Sequence, residues 1–524
     1  MTTGRAAPWL AALTASLAFA FVLRHSTFVP WGTDAAGYIA AAHRWAAAQP
    51  IAPSPLQLGP SWARDGTVVA PLAFRPGVRH GTDVSQYPLG YPVMMAAAIR
   101  LGGDLAAYAV APLCAALLVW CTYLIGATVA GPWAGVLASV MVAASPVTFV
   151  DAVEPMSDVP AAALWALSWA MSTRPGTGAS AAAGAAVALA VMVRPNLAPL
   201  ALVPAWLQWS ERAQVAAGEG WRRLLVFAAA AAIGPALVLW SQSALYGGAF
   251  SPSYSGWEAF YRTAHIRQNL TRYPGFLILG HTPLAFAGLA TPWLLRVRAL
   301  NASLQQRRMS DSAAVLAVLT YALYLPYLPF EDPRYLRFMI PAVTALFVLL
   351  AAFVVVTAHA LARVSRVAAP VALIPALVVS GAGVPFLAYG RTLTETELRV
   401  DLMGRYLGEA LPANAVVLSF LQSGALAFYT RRPIVRLDLL APDTLDAAII
   451  ELGQRGYHPV IVLDELMEAP AFPARFPGSA LRTLDWPPRA IARDAGAALL
   501  YFDPADRPDA QRGHQWAVDV IARR

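Results

Sequence analysis

Long apolar runs parted by short clusters of charge constrain this chain more than any other feature. Such runs lie near 8–29, 105–129, 132–150, 157–173, 179–194, 197–210, 222–245, 276–295, 312–330, 336–361 and 368–389. A helix needs about 20 mostly apolar residues to cross a bilayer. Lipid offers no partner to a backbone N–H or C=O, so runs of this kind cross as helices. Hydrophobic residues make up 58% of the 524 residues and charged residues only 13%, against about 25% charged in soluble proteins. The third to sixth runs are short, and two of them meet at Arg194-Pro195-Asn196. The expected fold is therefore a polytopic α-helical membrane protein with about 11 transmembrane helices.

The net charge is +8 and the basic residues are all arginine. A basic balance is compatible with nucleic acid, but these arginines sit at the ends of apolar runs. They read as determinants of topology and as phospholipid contacts, with no nucleic-acid partner. Arg5, Arg174, Arg212, Arg222, Arg223, Arg296, Arg298, Arg307, Arg308, Arg363 and Arg366 fall on alternate connections. That places the N-terminus in the cytoplasm of a multi-pass protein of the cell inner (plasma) membrane, and the C-terminus outside. The first run, after Arg5, has the outline of a signal peptide; no small-residue cleavage site precedes Arg24 and His25, so it reads as a retained helix. Cys114 and Cys121 lie seven residues apart in one apolar run, about 10 Å along a helix and too far to pair with each other.

Two outer segments exceed what helix connections need. The first loop spans 30–104. The tail, 390–524, alternates expected strands (416–420, 434–437, 460–463, 498–502) with expected helices (423–429, 444–455). This pattern predicts a small C-terminal α/β extracytoplasmic domain with a largely parallel sheet beside a membrane domain at 1–389. The tail has no glycine-rich phosphate loop.

The polar residues on outer connections are the candidates for chemistry. Asp34 stands just before a helix expected over 35–48, with Tyr38, Ile39, Ala42 and Trp45 on one face. It suits an N-cap, and equally a carboxylate poised outside the membrane as a general base. Ser85-Gln86-Tyr87-Pro88-Leu89-Gly90-Tyr91-Pro92 predicts a stiff turn into a second interfacial helix, whose tyrosines would anchor it or contact a sugar. Arg75, Arg79, His80 and Asp83 upstream would pair among themselves or meet a phosphate. Asp151, Glu154 and Asp158 put three acids on one short outer connection, either solvated or functional, with Asp158 also suited to an N-cap. Arg194, Asn196, Arg334, Tyr335 and Arg337 sit on outer connections against the positive-inside bias. Such arginines need an acidic neighbour or a substrate phosphate. No HExxH or CxxC spacing occurs, so no metal site and no cofactor are expected.

In order and spacing, "GTDAAGYIAAAHRW", "QYPLGYP", "EPMSD", "RPN" and "DPRYLRFMIPA" resemble the GT-C superfamily of membrane glycosyltransferases, in particular the branch of protein O-mannosyltransferases and lipid A aminoarabinose transferases. The resemblance covers the chain to about residue 389. It implies a polyprenyl-phosphate-linked sugar donor and transfer on the outer face to a lipid, glycan or protein acceptor. It implies that Asp34 acts on the acceptor, and that Arg334 and Arg337 are the nearest matches to arginines that contact the donor phosphate. Some members carry a second acid beside the first; here that position is Ala35. One base would give direct displacement with inversion. The competing reading is a transporter or flippase of lipid-linked sugars, which would tolerate loss of Asp34 and carry charges deep in several spans.

Overall fold

The computed structural model describes residues 5–26, 28–30, 33–251, 253–254, 257–362, 398–494 and 496–522. The run expected to cross at 368–389, with Arg363 and Arg366, lies outside them.

The helical body begins with α1 (Ala7–His25). The first loop supplies α2 (Thr33–Ala46) and α3 (Gly90–Gly102). Then follow α4 (Val110–Ala130), α5 (Pro132–Ala143), α6 (Pro146–Val153) and α7 (Asp158–Ser172). Next come α8 (Thr177–Val193), α9 (Leu202–Glu211) and α10 (Ala217–Tyr246). α11 (Ile266–Gly280), α12 (Leu304–Tyr324) and α13 (Ile340–Ala362) complete the body.

Among the described residues four helices are long and apolar enough to cross a membrane, or six if each of two bent pairs counts as one crossing. The chain is a multi-pass membrane protein, but several expected straight crossings take another form. The run 132–150 bends by 56° between α5 and α6, and 276–295 turns through 108° between α11 and the turn at Pro283. Both breaks have one cause. Ser145 precedes Pro146 and Thr282 precedes Pro283; each hydroxyl caps the new helical segment. Proline cannot continue the preceding helix but suits the first position of the next.

Position in the bundle follows composition. The spanning window within Pro333–Leu361, which continues into the almost wholly apolar α13, is 89% buried and forms the centre, whereas the spanning windows of α1 and α10 are 22% buried and lie outside. A helix hydrophobic all round belongs in the interior. α8 and α10 approach closely because Gly184 and Gly234 face each other's backbone: a Cβ on either would strike the Phe227 or Ala188 carbonyl. Small residues permit such contact where lipid supplies no hydrophobic drive.

The first loop carries a three-stranded antiparallel sheet of β1 (Ile51–Pro53), β2 (Phe74–Pro76) and β3 (Thr82–Ser85), in the order β1-β3-β2. The tail opens with α14 (Leu398–Ala410), then β4 (Ala415–Ser419), α15 (Ser423–Thr430), β5 (Ile434–Arg436), α16 (Leu445–Gln454) and β6 (His458–Asp464). It closes with β7 (Ala490–Asp494), β8 (Ala497–Phe502) and β9 (Asp519–Ala522). The six strands run β5-β4-β6-β8-β7-β9. β4 is parallel to β5 and β6, as expected, but β8 is antiparallel to both β6 and β7. The sheet is therefore mixed: Gly496 at positive φ turns the chain directly from β7 into β8, and so short a connection joins only antiparallel strands.

Loop and tail share a core. Leu56, Ala63, Val68 and Val69 pack with Val416, Leu418, Val435 and Leu463. Trp62 Nε1 donates to Glu451 at 3.0 Å, Arg436 N donates to the Val68 carbonyl at 2.7 Å, and Leu72 N donates to Ser423 Oγ at 3.0 Å.

Candidate active site

Asp34 lies inside the first turn of α2, one residue beyond its start. Its side chain serves no cap. Tyr87 Oη donates to Oδ1 at 2.7 Å and Arg337 Nη2 to Oδ2 at 3.1 Å. Tyr87 can come so near because α2 has Gly37 there; a Cβ at that position would overlap the Tyr87 ring and Ala73. Gly90 does the same for the end of the "QYPLGYP" turn, which rests on the Met192 and Val193 backbone just before Arg194. Two glycines thus seat one turn against both α2 and α8. Tyr38 stacks on Tyr87 at 4.2 Å between centroids, and buried Tyr91 meets Tyr38 edge-on at 5.1 Å. Burial, then the Asp34 charge, holds the Tyr87 hydroxyl well above the usual tyrosine range, so it stays a neutral donor to Asp34.

The acids at 151–158 are not a solvated connection. Asp151 lies within α6, Asp158 opens α7, and Asp151, Glu154 and Asp158 are all buried. Asp158 sits 2.8 Å from Arg194 Nη2, and Asp151 sits 3.9 Å from Arg337 Nη1. A buried cation without a counter-charge is costly, and these carboxylates hold both arginines in place. Arg194 Nε also donates to Ser157 Oγ at 3.2 Å, and its Nη1 to Tyr324 Oη at 2.9 Å. Asn196 Nδ2 donates to the same Tyr324 oxygen at 3.0 Å.

These groups line a cavity of about 560 Å³. Asp34, Tyr38, Arg194, Asn196, Tyr335 and Arg337, all singled out from sequence, form part of its wall. Tyr87 and Asp158 touch that wall through Asp34 and Arg194. Arg334 does not line it: Asp332 caps the turn Pro333–Met339 through Arg334 N and takes Arg334 Nε at 2.8 Å, which directs the guanidinium along the turn. Arg75 donates to the Ser253 carbonyl at 3.3 Å and lies over the Tyr246 ring, outside the lining. Asp83, near it in sequence, pairs instead with Arg44. Glu154 and Tyr91 are buried but are not lining residues. Ser157, Gln242, Tyr254, Tyr261, Tyr324 and Tyr327 line the cavity unpredicted. The tyrosines among them carried only the signal of aromatic residues near the ends of apolar runs, which interfacial anchoring explains as well; Ser157 and Gln242 carried none.

A second hollow of about 220 Å³ opens next to the cavity. Its wall is almost wholly apolar, with Tyr273, Leu277, Phe286, Leu336, Met339 and Leu346. Leu336 faces this groove while the next residue, Arg337, faces the cavity. Among the described residues no group of three or more His, Cys, Asp or Glu side chains gathers to hold a metal ion.

This arrangement, with first-loop helices carrying an acid above a helical membrane body and an α/β tail packed on the loop, matches the fold of two solved proteins over most of its length. ArnT from Cupriavidus metallidurans in the apo state superposes with a TM-score of 0.56 at 14% identity, covering 94% of this chain and 97% of that one. The same protein bound to undecaprenyl phosphate matches at 0.56 and 14%, over 96% and 98% of the two chains. The Archaeoglobus fulgidus oligosaccharyltransferase matches at 0.54 and 12%, over 93% and 73%. No protein-family model matches the sequence, and no curated protein does.

Proposed function

We propose that this chain is an integral-membrane glycosyltransferase that moves a sugar from a polyprenyl-phosphate-linked donor to an acceptor hydroxyl at the outer membrane face. One observation carries the reading: the Asp34–Arg337 pair lies in an aromatic cavity whose wall continues, from Arg337 to Leu336, into an apolar groove. A ligand with a sugar, a phosphate and a long hydrocarbon tail has three parts that match the cavity, the guanidinium and the groove. The GT-C fold, shared with a protein that binds undecaprenyl phosphate, supports the same assignment.

Asp34 would take the proton of the acceptor hydroxyl as that oxygen attacks the anomeric carbon. The bond from that carbon to the phosphate oxygen breaks, and polyprenyl phosphate leaves with the electron pair. Arg337, backed by Asp151, would neutralise the leaving phosphate, with Arg194 on the same wall. Displacement by one base from one face inverts the anomeric centre. Arg337 donates to one Asp34 oxygen; a donor phosphate would compete for that guanidinium and free the base. The tyrosine wall offers ring faces to a hexosyl or pentosyl unit. The reading places the cavity and the tail outside the inner (plasma) membrane and the N-terminus in the cytoplasm. It keeps about eleven passages, with the extramembrane α/β unit beginning near residue 390.

The test is transfer from a synthetic polyprenyl-phosphate sugar in proteoliposomes, with Asp34→Asn beside the wild type. Loss of transfer with unchanged insertion and melting supports the base. Near-normal transfer would sink it. The flippase alternative predicts lipid-linked sugar movement that survives the substitution. Mass spectrometry of envelope glycolipids and glycoproteins from a deletion strain identifies the sugar and acceptor.

A further inference from the structure

A second arginine-lined cavity lies at the far end of the same helices. It measures about 280 Å³ and is lined by Glu211, Arg223 and Arg308, with Gln214, Gln305 and Met309. α8, α10 and α12 all run from this cavity to the one at Asp34. α8 begins just after Pro175, which lines the far cavity, and ends at Arg194; α10 passes from Arg223 to Gln242; α12 passes from Arg308 to Tyr324. The sixteen helical steps from Arg308 to Tyr324 rise roughly 24 Å, close to the thickness of a bilayer's hydrocarbon core. The two cavities therefore stand at opposite membrane faces.

Topology explains why arginines lie at this end, but not why Arg223 is buried. Its residue is 5% exposed. Arg223 Nη2 donates to the Arg174 carbonyl at 2.8 Å and stands 3.6 Å from Glu211, while its Nε has no hydrogen-bond partner. Arg308 spends one Nη1–H on the Ser210 carbonyl. Two guanidiniums and one carboxylate leave the lining with one unbalanced positive charge. The surroundings also mark a depth. Arg212 lies over Trp209 at 3.2 Å and within 5.2 Å of Trp221, and both indoles are half exposed. Tryptophan and arginine collect at the headgroup level.

We infer that this cavity binds the phosphodiester of an anionic phospholipid of the leaflet opposite the active site. One phosphodiester carries the single negative charge that the lining lacks. Guanidiniums suit its oxygens, and Gln214 and Gln305 offer amide donors to a polyol headgroup. Basic pockets between helices are suited to such headgroups. The site does not depend on the proposed transfer reaction and can be tested without it.

The experiment is native mass spectrometry of the full chain in mild detergent with added phosphatidylglycerol, and phosphatidylcholine as comparator. The wild type should retain phosphatidylglycerol in preference. Arg223→Gln with Arg308→Gln should lower retention about tenfold. Arg222→Gln with Arg298→Gln, which removes two exposed arginines, should leave it unchanged. Glu211→Gln, which removes the competing carboxylate, should raise it, and this arm remains informative if the double variant folds poorly. Equal retention of the two lipids, equal loss from both arginine pairs, or no gain from Glu211→Gln would overturn the site. Displacement of phosphatidylglycerol by millimolar inorganic phosphate would overturn the lipid assignment in favour of a soluble phosphate ester.

Discussion

The cavities at the two ends of α8, α10 and α12 have the same charged lining. Arg194, Arg337 and Asp34 face one; Arg223, Arg308 and Glu211 face the other. They differ in what stands around those charges. At the Asp34 end, both arginines are also held by acids outside the lining, Asp158 and Asp151, so their guanidiniums are oriented before any ligand arrives. A tyrosine wall and an apolar groove adjoin them. At the far end the one acid is itself a wall residue, and no tyrosine lines the hollow. Oriented charges beside a base suit a reaction, since their alignment is not bought during it; unbalanced charge at headgroup depth suits retention of an anion. Charge count alone does not separate these roles.

Breaking the Asp34 end should have the largest effect. Asp34→Asn, which keeps the shape but removes the proposed base and turns one of its two acceptor oxygens into a donor, should cut transfer about a thousandfold with little change in melting temperature. Arg337→Gln should cost about a hundredfold in kcat and weaken the response to the donor more than to the acceptor. Equal effects on both substrates would count against a phosphate role. Tyr87→Phe removes one donor to Asp34 and should cost about tenfold, read as a change in kcat.

Smaller effects sharpen the comparison through packing. Gly37→Ala should push the Tyr87 ring away from α2, lowering stability by about 2 kcal/mol and activity together; thermal melts alongside initial rates would show whether the two move in step. Ser423→Val removes the acceptor for Leu72 N. Leu72 also lines the Asp34 cavity, so this change in the tail should lower the proposed transfer by a few-fold, about 1 kcal/mol. Arg223→Gln with Arg308→Gln should change transfer less than twofold, by about 0.4 kcal/mol or less, in phosphatidylcholine. A larger loss there would mean that the ends are coupled.

Much of the site was legible because polar residues are scarce in this chain. Asp34, Arg194, Asn196 and Arg337 stood out against apolar neighbours, and the structure brings them to one cavity. Arg334 and Arg337 were indistinguishable: they lie three residues apart in one short turn, and only the Asp332 cap directs one along the turn while the other enters the cavity. Tyr254, Tyr261, Tyr324 and Tyr327 were hidden because interfacial anchoring requires the same residue type. Asp151, Glu154 and Asp158 were visible as acids but not as buried ones, since burial depends on which helices close over them. Arg223 and Arg308 read only as marks of topology.

The sequence by itself determined that this chain lies in a membrane as many helices, with its polar chemistry at their ends. Backbone groups in lipid leave no other choice, and the runs are read locally. It also determined the parallel half of the tail, where strands and helices alternate. Tertiary structure alone decided which ends meet. Glycines at 37 and 90 seat the tyrosine turn, two proline breaks bend expected crossings, and a tail hundreds of residues away holds the loop that roofs Asp34. Those outcomes rest on contacts between segments distant in sequence, where a local pattern carries no information about its partner.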